Sequence, residues 1–416
     1  MKSRYFVEAV VHSGPADRRD ALVQTPLNPQ NLLWHAGNSG RFDPRSLEVC
    51  EVDGERLAPV PCQIEGEVVT WIAPGAFPAG TARRFRIGFD SEDAPAMQAF
   101  GKPVFKDRII VTDLGSELLV SQNSQELARY RYRHPWKPYF YPVNGPHGNV
   151  VRDSEAEHPH HHGLYISYGG EDCLGVNIWS EEEGIRPPLG PAGRMAHRGF
   201  ERIEYGWVYG HFTQKLEYLK PDGYPFAREW RTVRIYKPSP ATLIIDWHLR
   251  VEDPADTGRR RIALACRVAN SMRVRDLSKR SSDGLMGGLR ERPGRLVNSA
   301  GGEGELACRG GRFTWLDFSG PVGDGWDGIA LFDHPQNPGA LEPDAFTCRE
   351  YGIFTVGHSY PAEGFARGGT AEFRYRAYIH EGDAAAGNVN AAYADFAYPC
   401  RVTLGSEIER NDEPHE

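Results

Sequence analysis

The sequence predicts an all-β protein, and three observations carry that prediction. Strand-length segments alternate apolar and polar residues. Glycines (46) and prolines (31) are spread along all 416 residues, as many tight turns would require. Only one stretch, Asp383 to Phe396, reads as helix: it is Ala-rich and Pro399 follows it.

Taken in chain order, Tyr5 to Val11, Val68 to Ile72 and Arg83 to Phe89 read as short strands, with turns at Asp53-Gly54 and Pro74-Gly75. Residues 1–95 are expected to form a small β-sandwich. The polar stretch 91–102 (SEDAPAMQAFGK) marks a boundary. Beyond it, residues 104–416 are expected to form one large antiparallel β-sandwich, two stacked sheets with the chemistry on a concave face. Val233 and Ile235 interleave with Thr232, Arg234 and Tyr236. Leu243, Ile245, Trp247, Leu249 and Val251 alternate with Thr242, Ile244, Asp246, His248, Arg250 and Glu252. Phe373, Tyr375, Ala377 and Ile379 do the same against Glu372, Arg374, Arg376, Tyr378 and His380. Such period-two patterns suit antiparallel strands with one buried face, because parallel strands buried on both faces read as unbroken apolar runs.

Composition narrows the function. The chain is 40% hydrophobic and 25% charged, with a formal net charge of -8. That balance argues against a nucleic-acid partner. No apolar run approaches the roughly 20 residues of a membrane helix, and Glu8 interrupts the N-terminal apolar stretch. Neither a membrane partner nor a signal peptide is expected. Seven scattered cysteines without a C-x-x-C pair fit reduced thiols and a cytoplasmic protein. A homo-oligomer is allowed by these numbers and not required.

The densest chemical signal is His158-Pro159-His160-His161-His162, which places four of the 15 histidines within five residues. Neutral imidazole is the commonest metal ligand, and its pKa also suits proton transfer. Were the segment extended, His158, His160 and His162 would share one face. A divalent metal on His158, His160, His161 and His334 is one expectation, and acid–base chemistry without metal is the other. His334 lies in Asp333-His334-Pro335-Gln336-Asn337-Pro338 after an apolar run, and His197 at the start of another strand. These histidines are expected to converge on one pocket. Arg349, ahead of Glu350-Tyr351-Gly352, could bind a carboxylate through both guanidinium arms. Tyr141, Tyr165, Trp179 and Tyr351 offer stacking faces, with Glu229 and Asn337 as polar substrate contacts. Ion pairing for Glu229 and a turn role for Asn337 are the plainer alternatives. No G-x-S-x-G, P-loop, G-x-G-x-x-G after a strand, or H-E-x-x-H is present, which weakens serine hydrolase, NTPase, dehydrogenase and zincin readings.

The order Pro138-Tyr139-Phe140-Tyr141-Pro142, Arg152-Asp153, His158-Pro159-His160-His161, Trp179, Gly193 to Phe200, Asp333 to Pro338 and Arg349-Glu350-Tyr351-Gly352 resembles the bacterial PmoA-like domain family over residues 104 to 398. That family carries a methane-oxygenase label and is often encoded among sugar-catabolic genes. A membrane oxygenase subunit would need spanning helices, and none are in this sequence. The resemblance implies a galactose-mutarotase-like supersandwich and a carbohydrate substrate. It carries roles onto His158, His160 and His161. It carries none onto His162, where Arg or Gln is expected. The combined reading is a cytoplasmic enzyme cleaving a C–O bond of a sugar, glycoside or oxidised sugar derivative, as a lyase or hydrolase. His160, His161, His197, His334 and Arg349 are its catalytic candidates. A sugar epimerase or mutarotase, or a non-catalytic carbohydrate-binding protein, are the alternatives.

Overall fold

The computed structural model describes residues 2–91, 107–153, 158–168, 176–181, 191–252, 260–340, 345–360 and 369–413. Strands dominate these residues, and the chain divides into two compact units. One unit comprises residues 1–108, 206–208 and 394–416, the other residues 109–205 and 209–393.

The smaller unit packs a five-stranded sheet against a three-stranded one. The five-stranded order is Arg401–Glu413, Lys2–His12, Ala82–Phe89, Glu48–Asp53, Arg56–Val60. The other is Arg18–Pro26, Val68–Phe77, Cys62–Glu65. Ala9, Val11, Val23, Trp71, Phe85 and Ile87 fill the space between them. The expected division at residue 95 with everything after it in the large unit needs correction at the C-terminus. Arg401–Glu413 is an edge strand of the small unit, paired antiparallel with Lys2–His12. Arg18 fastens the approach to it: Nε donates to Ser13 O at 2.6 Å, Nη1 to Asp395 at 2.5 Å and Nη2 to Tyr398 O at 2.6 Å. Of the boundary stretch 91–102, all but Ser91 lies outside the described residues.

Two helices depart from the sequence expectation. Pro29–His35 was not foreseen; the Asn28 side chain caps it by accepting from Asn31 N, and Pro29 starts its first turn. The tail helix spans Val389–Ala397, because Asp383 captures the Ala385 and Ala386 amides in a turn instead.

The larger unit is the expected antiparallel sandwich of two sheets, eight strands each. The first sheet runs Phe346–Arg349, Ile353–Tyr360, Arg260–Arg267, Leu164–Tyr168, Tyr139–Val143, Gln125–Arg131, Glu117–Gln122, Ile109–Asp113. The second runs Arg194–Glu204, Tyr209–Leu219, Pro225–Ser239, Thr242–Glu252, Thr370–Glu381, Gly325–Asp333, Trp315–Val322, Arg295–Asn298. Thr242–Glu252 pairs with Thr370–Glu381 without a register break, from Thr242 opposite His380 to Glu252 opposite Thr370. The alternation read from the sequence is therefore the alternation of a real ladder. Leu243, Ile245, Trp247, Leu249 and Val251 meet Phe140, Leu164, Ile166, Leu264, Cys266 and Phe354 of the first sheet in one core.

Candidate functional site

The same alternation decides what the first sheet shows on its other face. With Phe140, Leu164, Ile166, Leu264 and Cys266 pointing inward, Tyr139, Tyr141, Tyr165, Ala265 and Arg267 must point outward. Tyr139, Tyr165 and Ala265 form a small apolar floor there, with Tyr141 and Trp179 packed against it. The histidine-rich segment covers this floor.

The segment is a turn, not an extended strand: His161 N donates to His158 O at 3.0 Å. Sharing of one face by His158, His160 and His162 therefore fails. Gly163 ends the turn at a point where a Cβ would lie 2.1 Å from Phe140 O, so the position admits only glycine. His158 stacks between His161 (ring centroids 4.8 Å, planes 1° apart) and Tyr351 (5.1 Å, 13°). His160 meets His161 edge-on at 4.3 Å, and Trp179 closes over His161 at 5.3 Å. The Arg267 guanidinium lies 4.9 Å from the Tyr351 ring centre.

His162 turns the other way and becomes the centre of a charged chain. Its Nδ1 lies 2.9 Å from Asp153 Oδ1 and its Nε2 2.8 Å from Glu181 Oε1. Glu181 Oε1 also takes the Lys137 ammonium at 3.0 Å, and Lys137 donates to Trp179 O at 2.8 Å. Lys137 is fully buried, with its ammonium 4.9 Å from the Tyr165 ring centre. Asp153 is held from behind by Arg131 at 2.7 Å and the Tyr139 hydroxyl at 3.0 Å. Tyr139 stacks on the His162 ring at 4.2 Å, and His134 approaches it edge-on at 4.7 Å.

These surroundings drive neighbouring imidazoles in opposite directions. Burial, aided by Lys137 and His158, lowers the His160 pKa from 6.5 to about 4. Burial, with His160 and Arg267 adding to it, pushes His161 lower still. Burial and then His162 lower His134 to about 4. Burial alone would lower His162 as well, but its bonds to Asp153 and Glu181 outweigh that and raise it. Burial lowers the Lys137 ammonium pKa despite Glu181.

A consequence for stability follows. His134, His160 and His161 bind a proton near 6.5 when unfolded and not when folded, so the unfolded state takes up more protons as the medium acidifies. Stability contributed by their neutral packing is present above about pH 6.5 and is lost as pH falls from there toward about 4. Chemical denaturation over that range is expected to show a falling midpoint, and His160→Gln with His161→Gln should flatten the slope. An unchanged slope would contradict buried neutral rings.

The other expected residues are elsewhere. His197 packs against Tyr132 and Phe200 and accepts from Gln214 Nε2 at 2.8 Å, at the end of a polar chain inside the core. His334 is next to Arg374 and Arg376, whose neighbours Phe373 and Tyr375 face the core. It therefore sits on the outer face of the second sheet, across the sandwich from His158–His162. The expected convergence of His197 and His334 with the cluster does not occur. Glu229 is not a substrate contact: it is fully buried, with Arg231 Nε at 2.5 Å. Asn337 pins a turn, donating to Asp333 at 2.7 Å and accepting from Arg374 N at 2.6 Å. Arg349 is engaged by the buried Glu305 at 3.3 Å rather than open to an anion. Tyr141, Tyr165, Trp179, Tyr351, His158, His160 and His161 do come together.

The expected metal set is also corrected. Parallel stacked rings such as His158 and His161 send their in-plane lone pairs along separate lines, which do not meet at one ion. Among the described residues, the group whose donor atoms do gather is His134, His162 and Glu181, all within 4.8 Å of one another. His134, Lys137, Asp153, Glu181 and Arg267 were not foreseen. Asp153 stood in the motif Arg152-Asp153, which was its only signal; Glu181 opens an acidic run, Glu181-Glu182-Glu183, that reads as solvated.

A family model covers residues 117–394, two thirds of the chain, and is described as a family of unknown function (DUF6807). The chain belongs to that family. Curated proteins give no match. Among solved structures, an alpha-mannosidase from Enterococcus faecalis V583 aligns over 97% of this chain and 46% of its own, at 10% identity and a TM-score of 0.46. A protein in glycosyl hydrolase family 38 from Enterococcus faecalis aligns over 96% and 47%, at 9% identity and 0.43. The chain spans about half the length of each. No helix among the described residues is long and apolar enough to cross a membrane.

Proposed function

We propose that this chain is a carbohydrate-acting enzyme that cleaves a C–O bond of a sugar, glycoside or oxidised sugar derivative, at the outer face of the first sheet. One observation carries the reading: two imidazoles two residues apart have opposite surroundings, His160 with its pKa lowered by burial to about 4 and His162 set between Asp153 and Glu181, which raise its pKa. Titratable groups of one kind whose surroundings push their pKa values apart are the signature of acid–base assignment. Half-buried His160, the partly exposed neutral ring of the turn, takes the proton, from carbon in an elimination or from water in a hydrolysis. Beside it, the donors His162 and Lys137, held by Asp153 and Glu181, stabilise the oxygen on which charge develops as the bond breaks. Trp179 and Tyr141, both partly exposed beside the cluster, offer apolar faces to a sugar ring. A cytoplasmic location belongs to this reading, since all six described cysteines are free thiols.

The test is a panel of aryl glycosides, uronate-containing oligosaccharides and free sugars, with products separated by chromatography. Cleaved product from the wild type, lost in His160→Gln, is the expected result. An epimerised product with every C–O bond intact would overturn the cleavage reading. Sugar binding without turnover, unaffected by His160→Gln, would make the chain a binding module.

A further inference from the structure

We propose that His134, His162 and Glu181 form a binding site for one divalent transition-metal ion of the zinc class, with Asp153 as the residue that orients His162. Three segments supply the ligands. His134 comes from the turn between Gln125–Arg131 and Tyr139–Val143, His162 from the turn before Leu164–Tyr168, and Glu181 from the segment after Trp179. Their donor atoms lie within 4.8 Å of one another. Two imidazoles and a carboxylate make a borderline donor set that suits zinc and its neighbours, whereas calcium and magnesium prefer all-oxygen shells. Three protein ligands leave a coordination position open, the arrangement of catalytic rather than structural zinc.

The surroundings are those of a built site. Asp153 Oδ1, 2.9 Å from His162 Nδ1, fixes the proton on that nitrogen and leaves Nε2 to aim at Glu181. Carboxylate–histidine–metal chains have this form. Arg131 and Tyr139 hold Asp153 in turn, and the stacked Tyr139 ring fixes the imidazole plane. Donors about 2.0–2.2 Å from a tetrahedral ion are ~3.4 Å apart, so His134 must move in by about an ångström while His162 Nε2 and Glu181 Oε1, 2.8 Å apart, open slightly to admit the ion. His134, half-buried on its turn, is the ligand that would move.

Lys137 is the rival occupant. Its ammonium is 3.0 Å from Glu181 Oε1 and fully buried, so it already balances the carboxylate. The two occupants give opposite results. Untagged protein would be stripped with a chelator, freed of it by gel filtration, and titrated with Co²⁺ and then Zn²⁺. The metal inference expects one ion per chain by elemental analysis, with visible Co²⁺ absorption that Zn²⁺ abolishes. His134→Ala and Glu181→Gln should weaken affinity by at least about 100-fold, and Asp153→Asn by roughly 10–100-fold. His160→Ala should retain the ion. The wild-type Co²⁺ spectrum stands even where a variant fails to fold. No ion in the wild type would overturn the inference. So would an ion that survives loss of His134 and Glu181 but not of His160, or binding that arises only in Lys137→Met. Metal content is read without substrate, so its outcome is separate from that of the sugar panel.

Discussion

Glu229→Ala is expected to destabilise the larger unit by about 3–5 kcal/mol, the scale for removing one partner of a buried ion pair. Glu229 and Arg231 share the inward face of Pro225–Ser239 with Val233 and Ile235, so both charges project into the core between the sheets. Neither side chain has any exposure. Arg231 grips Glu229 with Nε at 2.5 Å and Nη2 at 3.0 Å, and the Tyr218 hydroxyl donates to the same carboxylate. Its third arm donates to the Tyr130 hydroxyl at 2.9 Å, Tyr130 donates to Gln214 at 2.6 Å, and Gln214 donates to His197. Removing the carboxylate leaves a guanidinium that can neither reach water nor lose its proton. The melting temperature should fall by roughly 6–20 °C, at about 2–4 °C per kcal/mol in a domain of this size. The triple variant Glu229→Met, Arg231→Met, Tyr218→Phe replaces both charges and the orphaned hydroxyl with apolar groups, and should recover most of that loss. A single variant no less stable than the wild type would show that water reaches the pair.

The same two residues show where sequence reading stops. Alternation is a local property, so the strands at 242–252 and 370–381 could be read directly and proved to be adjacent, in register and half-buried. Glu229 and Arg231 occupy the apolar phase of that pattern yet carry charge, and nothing local says that each is the other's partner. The family resemblance gives His162 no role, because Arg or Gln is expected at that position. The structure makes it the hub, since the turn at 158–161 reverses its direction relative to its neighbours. Lys137 and Glu181 are 44 positions apart and meet only through tertiary packing. A lysine between Trp136 and Pro138 carries no sign of its burial. Arg401–Glu413 was missed for a related reason: an edge strand has one partner, which here lies at the other end of the chain.

His160→Gln is expected to cut turnover by about 10²–10⁴-fold, the range for loss of a positioned general base, while KM stays near its wild-type value. The amide keeps the polarity and approximate volume of the ring but cannot take a proton. His160 is the member of the turn suited to this task. His161 is almost fully buried, His158 is stacked between His161 and Tyr351, and His162 is committed to two carboxylates. Burial holds its pKa down at about 4, so it stays unprotonated through neutrality. The wild-type rate should accordingly show no acid limb at the ordinary imidazole value of about 6.5. A structural role would move none of this in the same way. A ring that only packs against His161 would raise KM or lower the melting temperature when replaced, and would leave the pH profile unaltered. Chemical rescue separates the two roles directly. In His160→Gly the vacated space should admit free imidazole, and turnover should rise with the concentration of its neutral form. Rescue that follows imidazolium instead, or full activity in His160→Gln, would remove His160 as the base and leave the neutral rings His134 and His161 as the candidates.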